Sequence, residues 1–181
     1  MHFEDYISQA MRTAKSLPTL QDDFDHAVLG MITELGELAT SVKRSEIYGK
    51  GYTDEIRANI LEEAGDFMWY VALAARTCDS PISDHKTTEA LDASSRLFTP
   101  KRLTFLLLRE VQTISAAAPW SRPQLDEAVQ FLAYLLRNQG LTLTDACAHN
   151  ILKLRTRFPD AYSDEAAEAR ADKGGLTARQ S

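Results

Sequence analysis

Apolar residues recur at helical spacing along nearly the whole chain, and no stretch alternates in the way that a half-buried strand requires. Proline, glycine and capping residues mark where the helices end. The predicted helices span residues 3–16, about 21–47, 54 to about 78, 86–97, 100–118, 123–138 ending at Gly140, about 142–158, and a short stretch from 163 that ends before 173. Residues 79–84 are predicted to form a loop and 174–181 a frayed tail.

Three of these helices carry a clear apolar stripe, and the stripes predict which residues face the core. On the second, third and fifth helices the predicted core residues are Ala27, Met31, Leu35, Leu38 and Val42; Ile56, Ile60, Phe67 and Val71; and Leu103, Leu106, Leu107 and Val111. The fold class is therefore predicted to be all-α, a helical bundle forming one domain over residues 1–173.

Composition and charge restrict the possible partners. The net charge of −6 and the pI of about 5.2 leave no basic footprint for nucleic acid. No apolar run approaches the roughly 20 residues that cross a bilayer, and the acidic N-terminus is unlike a signal peptide, so we expect no membrane partner. The two cysteines, Cys78 and Cys147, lack metal-ligand or redox spacing. We therefore expect reduced thiols and a cytoplasmic protein.

Two pairs of carboxylates give the strongest functional signal. Glu34 and Glu37 lie three apart beside the apolar stripe of the second helix, and Glu63 and Asp66 repeat this arrangement on the third. Packing of the two stripes would bring the four acids to one rim. Four acids cannot all ionise there without a compensating cation, and oxygen ligands in that number suit Mg²⁺, with Mn²⁺ as a second choice. Glu62 lies about 100° further round its helix, where we expect an outer ligand.

The alternative is that these acids are ordinary solvated residues on helix surfaces. Acidic pairs at this spacing are common, and one pair alone would indicate little. Here, however, like charges recur without a basic partner one turn away, which costs a few tenths of a kcal/mol per pair. Both pairs also border the core in the same way, and this repetition favours a metal site for phosphate chemistry.

The ordered motifs resemble the all-α nucleoside triphosphate pyrophosphohydrolases of the MazG-like superfamily. The resemblance covers about half of the chain. Its motifs are Glu34-Leu35-Gly36-Glu37-Leu38, then Ile47-Tyr48-Gly49-Lys50, then Ile60-Leu61-Glu62-Glu63-Ala64-Gly65-Asp66-Phe67-Met68-Trp69-Tyr70, and a closing segment over residues 150–163. The resemblance implies Mg²⁺-dependent hydrolysis of a nucleoside triphosphate to the monophosphate and pyrophosphate.

By motif position, the resemblance implies that Glu34, Glu37, Glu63 and Asp66 bind the metal. One of them, or Glu62, would also orient the attacking water, so all five acids are candidate catalytic residues. We also expect five residues to contact the substrate. They come from the matching segments, from the loop between the acidic helices and from the aromatic one helical turn after Asp66: Lys50, Tyr70, Asn150, Lys153 and Arg157. Trp69 is expected to be structural, because an aromatic at helical spacing usually belongs to the core.

Residues 79–140 depart from the family pattern, since family members of minimal length pass almost directly from the second acidic helix to the closing segment. The stretch 127–134 mirrors 63–70, and 108–114 mirrors 32–38, with Thr113 in place of Glu37 and Gln130 in place of Asp66. One hypothesis is an internal duplication, in which a metal-binding half (1–78) packs against a degenerate half (79–140) before the closing segment (141–173). The alternative is an unrelated helical insertion.

Other functions stay open from the sequence. Within the same fold, phosphoribosyl-ATP is an alternative substrate. From a different class, a helical interaction module could retain metal binding without turnover. Removal of noncanonical nucleotides and adjustment of nucleotide pools are both compatible with the leading prediction. The resemblance also implies a homodimer or a higher homo-oligomer.

Overall fold

The computed structural model describes residues 3–77, 96–116 and 123–169, and these residues form helices and no strand. The predicted all-α class is thus confirmed for this part of the chain. The helices are α1 (Phe3–Met11), α2 (Leu20–Glu46), α3 (Asp54–Thr77), α4 (Pro100–Ser115), α5 (Pro123–Asn138), α6 (Leu143–Arg157) and α7 (Asp164–Ala169). The predicted 79–84 loop, most of the predicted 86–97 helix, the last two residues of the predicted 100–118 helix and the predicted 174–181 tail lie outside the described residues.

Local side-chain chemistry sets the ends of the helices that carry the site. Thr142 caps α6 by accepting a hydrogen bond from the backbone N–H of Asp145, whose carboxylate accepts in return from the backbone N–H of Thr142. Thr19 and Asp22 form the same capping box at the start of α2, one residue before the predicted start of this helix. Gly140 ends α5 with φ of +73°, a conformation that favours glycine.

The first helix is shorter than predicted, because it ends at Met11 instead of residue 16. The Thr13 hydroxyl donates to the carbonyl of Ala10 at 2.6 Å and accepts from the indole N–H of Trp69 at 3.0 Å. Arg12 donates to the carbonyls of Phe158 and Asp160 at 2.8 and 2.7 Å. These tertiary contacts fix the chain in a turn at the point where the apolar pattern alone would continue the helix.

Helix α3 is the centre of the bundle. It packs along α2 and α6 and also contacts α1 and α5, while α4 lies against α2 and α5. Its C-terminal half is therefore buried almost all round, and the predicted core residues of α2, α3 and α4 are buried as expected. No helix in the described residues is long and apolar enough to cross a bilayer.

Candidate metal centre

Three of the predicted acids converge between α2 and α3. Glu34, Glu37 and Glu63 each offer a carboxylate oxygen, and these oxygens all lie within 4.8 Å of one another. The short loop after α2 makes α2 and α3 antiparallel neighbours, so their apolar stripes face each other and carry the adjacent acids to one rim. The prediction that the two acidic helices pool their carboxylates thus holds for these three residues.

The three acids repel one another strongly in this position. Burial, followed by the charges of Glu37, Asp66 and Glu34, raises the pKa of Glu63 to about 8. Burial also raises the pKa of Glu34, and the charges of Asp66 and Glu37 add to this effect. A bound cation would offset the repulsion that adds to the effect of burial on both pKa values.

Asp66, expected as the fourth ligand, lies beside these acids but is engaged elsewhere. Its Oδ1 accepts a hydrogen bond from the Asn150 side chain at 2.9 Å, and its Oδ2 forms an ion pair with the Nζ of Lys153. The same ammonium donates to Glu62 Oε1 at 3.0 Å. Burial acts to lower the pKa of Lys153, but the charge and hydrogen bonds of Asp66 and Glu62 outweigh it, so the pKa is raised and Lys153 stays charged.

A buried tyrosine that is not among the predicted site residues holds Asn150 in place. Tyr6 is 1% exposed, and its hydroxyl donates to Asn150 Oδ1 at 3.0 Å and lies 3.3 Å from the carbonyl oxygen of Gly65. Asn150 is itself buried, so its amide is oriented by Tyr6 on one side and Asp66 on the other. The only sequence signal for Tyr6 was its place on an apolar helical face, which indicates core and not a site.

Gly65 allows α6 to approach closely enough for these contacts. A Cβ at position 65 would lie 2.8 Å from the carbonyl oxygen of Ala146 and 3.0 Å from the Cβ of Asn150. Any side chain there would therefore push α6 away from α3. The glycine between Glu63 and Asp66 is in this way a structural condition for the pairing of Lys153 with Asp66.

The acids form part of the wall of a cleft of about 920 Å³. The cleft follows α2 from Asp22 to Glu37, a rise of about 22 Å at 1.5 Å per residue. Toward the N-terminal end of α2 it is lined by three rings in edge-to-face contact, with centroids 4.9–6.0 Å apart: His26, Trp69 and Tyr70. The ring of Tyr70 lies against Gly30, where a Cβ would overlap it.

The expected substrate-binding residues divide into two groups. Tyr70, Asn150, Lys153 and Arg157 all line the cleft. Lys50 does not belong to its lining and is exposed in the loop beyond the C-terminal end of α2, thirteen residues after Glu37. Trp69 lines the cleft and also has the structural role expected of it, since its N–H bonds Thr13.

The donor set suits a small divalent cation. Mg²⁺ holds oxygen ligands at about 2.0–2.1 Å, so two oxygens on opposite sides of one ion are about 4.2 Å apart. The three carboxylate oxygens lie within 4.8 Å of one another, close enough that small side-chain rotations would bring them onto one ion. Carboxylates without sulfur or imidazole favour Mg²⁺ or Mn²⁺ over zinc or copper.

In comparisons with known proteins, no protein-family model, curated protein or solved structure matches this chain.

Proposed function

We propose that this protein is a Mg²⁺-dependent nucleoside triphosphate pyrophosphohydrolase of the MazG-like type. The observation that carries the proposal is the convergence of Glu34, Glu37 and Glu63 in a cleft that also contains cationic and aromatic side chains. Each component alone is common on helical proteins. Together they supply the parts needed to bind a triphosphate and a base at the same time.

Glu34, Glu37 and Glu63 would hold the metal ion. When bound, the ion would stabilise charge on the phosphate oxygens and make a water molecule a better nucleophile at neutral pH. In the reaction a water oxygen forms a bond to phosphorus, the α–β anhydride bond breaks, and pyrophosphate leaves. Glu62 lines the cleft and is a candidate for orienting the water, so no protein nucleophile is required.

The rest of the cleft matches the two ends of a nucleotide. Arg157 follows Lys153 by one helical turn, and both line the cleft beside the acids, where phosphate oxygens would lie. The rings of His26, Trp69 and Tyr70 offer apolar faces and edges for a base further along α2. The cleft volume of about 920 Å³ is in the range of small-molecule sites, at its upper end.

We propose that the second half of the chain is a degenerate duplicate of the first half. Helices α4 and α5 pack on each other and against α2 and α3, as a related pair would. Glu110, at the position that mirrors Glu34, is buried in an ion pair with Arg109, and Gln130 donates to the Tyr134 hydroxyl at 2.6 Å. The described part of this half contains no further group of metal-ligating side chains.

Pyrophosphate release from a panel of ribo- and deoxyribonucleoside triphosphates tests the proposed function. With Mg²⁺ we expect monophosphate and pyrophosphate in equal amounts, and no diphosphate. Glu63→Gln should lose turnover while keeping the helical circular dichroism spectrum. Glu55→Gln, an exposed acid on the same helix, is the matched control and should keep activity. Metal binding without turnover on any substrate would instead favour the non-catalytic interaction module.

A further inference from the structure

The five acids of the site fall into two groups, which differ in whether a cationic side chain pairs with them. The carboxylate oxygens of Glu34, Glu37 and Glu63 face one another without a lysine or arginine ion pair among the described residues. Those of Glu62 and Asp66 share the ammonium of Lys153. The two groups are adjacent, because Glu62, Glu63 and Asp66 follow one another on α3.

Burial and a set of hydrogen bonds hold Lys153 in this position. Its side chain is 12% exposed, against 35% for Glu62 and 23% for Asp66, so it is the most enclosed of the three side chains. Asn150, one turn earlier on α6, holds the other oxygen of Asp66 and is itself fixed by Tyr6. Transfer of a lysine charge out of water is costly unless it is paired, and here two carboxylates pair it.

We propose that Lys153 takes the place of a second divalent ion, so that the site holds one metal ion on Glu34, Glu37 and Glu63 while Lys153 neutralises Glu62 and Asp66. The inference rests on the proposed function and specifies its metal requirement. In two-metal phosphate enzymes a second ion lies about 3.5–4 Å from the first and is held by neighbouring carboxylates. Lys153 contacts the two carboxylates that would be available for this purpose.

Charge arithmetic supports a single ion. Three carboxylates and one Mg²⁺ leave a net charge of −1, and two carboxylates with Lys153 also leave −1. A second dication beside Lys153 would bring two cations onto the same oxygens of Asp66 and Glu62, which like-charge repulsion disfavours. With the lysine removed, the same pair would become a free site for a cation. Lys153 thereby limits the site to one metal ion.

The test counts Mn²⁺ ions bound per chain in the absence of nucleotide, by electron paramagnetic resonance of free Mn²⁺ and by titration calorimetry. The wild-type protein should bind one ion. Lys153→Met, which removes the charge and keeps much of the side-chain volume, should bind two. Lys101→Met, which removes an exposed lysine on α4, is the matched control and should bind one. The double variant Lys153→Met with Asp66→Asn should return to one.

Each of the other outcomes contradicts the inference, and the number of bound ions shows which part of it is wrong. A wild-type count of two, or a count of one in folded Lys153→Met, overturns the role of Lys153 and leaves the proposed function standing. A wild-type count of zero removes the metal site from the proposed function as well. Should Lys153→Met not fold, Asp66→Asn decides: it should still bind one ion, and loss of that ion would show that Asp66 is itself a ligand.

Discussion

Glu63 has a strongly raised pKa, because burial and four neighbouring acids raise it to about 8. In the unfolded chain this carboxyl titrates near the ordinary value of about 4.5. Between these values the folded protein retains a proton that the unfolded chain has released. The free energy of unfolding therefore falls as pH rises from about 4.5 to 8, and the contribution is constant above and below that window.

We expect this dependence in the metal-free protein, measured by urea unfolding at a series of pH values in the presence of a chelator. The contribution of Glu63 is at most about 1.4 kcal/mol per pH unit. Glu63→Gln should flatten the slope between pH 5 and 8, and Glu55→Gln should leave it as in the wild type. Saturating Mg²⁺ should also flatten it. An unchanged slope in Glu63→Gln would contradict the burial and repulsion described here.

Gly30 has a role that a second glycine on the same helix does not share. A Cβ at position 30 would overlap the ring of Tyr70, whereas at the exposed Gly36 a Cβ would meet nothing within 4 Å. Gly30→Ala should displace Tyr70 from Trp69, seen as a change in Trp69 fluorescence in a Trp120→Phe background. It should also raise the KM for nucleotides.

Gly36→Ala is the control for that substitution. It should leave the fluorescence unchanged and increase the free energy of unfolding by up to about 1 kcal/mol, because alanine is the better helix former. Equal spectra for the two alanine variants would show that Tyr70 does not depend on the space that Gly30 provides.

The capping box of α6 links helix stability to the site, because α6 carries Asn150 and Lys153. Thr142→Ala removes the side-chain acceptor for the Asp145 N–H and should lower the free energy of unfolding by about 1 kcal/mol. The melting temperature should fall by about 2–4 °C in a chain of this size. Thr144→Ala, at an exposed position in the same turn, should be close to neutral. Equal losses in both variants would mean that the cap contributes nothing specific.

Helix positions were predictable from sequence because their signals are local. Pro100, Pro123, Gly140 and the Thr142–Asp145 box mark helix ends at or within a residue or two of where they occur. The early end of α1 was not predictable, since it depends on contacts of Arg12 and Thr13 with segments that are distant in sequence. Local periodicity contains no information about such partners.

The same distinction applies to the site, where contacts between neighbouring helices were predictable and contacts between distant segments were not. The approach of Glu34, Glu37 and Glu63 follows from stripes on two adjacent helices that a short loop connects. The pairing of Asp66 with Lys153 joins residues 87 positions apart, and it depends on how closely α6 packs at Gly65. A carboxylate identified by motif position can thus pair with a cation that only the tertiary fold brings near.

In the molecule as a whole, the cleft and the α4–α5 pair lie on different parts of α2 and α3. The residues that line the cleft come from the loop between α1 and α2, from α2, α3, α6 and α7, and from the segment joining α6 to α7. None comes from the described parts of residues 96–138. The described part of the second half therefore contributes core packing, and substitutions there should change stability without changing metal binding.

Leu107→Ala tests this separation, because Leu107 is fully buried on α4. The cavity should lower the free energy of unfolding by about 2–5 kcal/mol, measured by urea titration. The affinity of the folded protein for Mn²⁺ at a permissive temperature should equal that of the wild type. Phe105→Ala, which truncates a side chain that is 58% exposed on the same helix, should change neither quantity appreciably. A Mn²⁺ affinity that falls with Leu107→Ala would show that the halves are coupled.

Anomalous diffraction from crystals soaked in Mn²⁺ tests the metal site most directly, because it locates the ion without reference to turnover. We expect a single anomalous peak between α2 and α3, bonded to oxygens of Glu34, Glu37 and Glu63, with Lys153 still on Asp66. Three carboxylates turned toward solvent with no peak among them, at Mn²⁺ concentrations that support pyrophosphate release, would contradict the assignment.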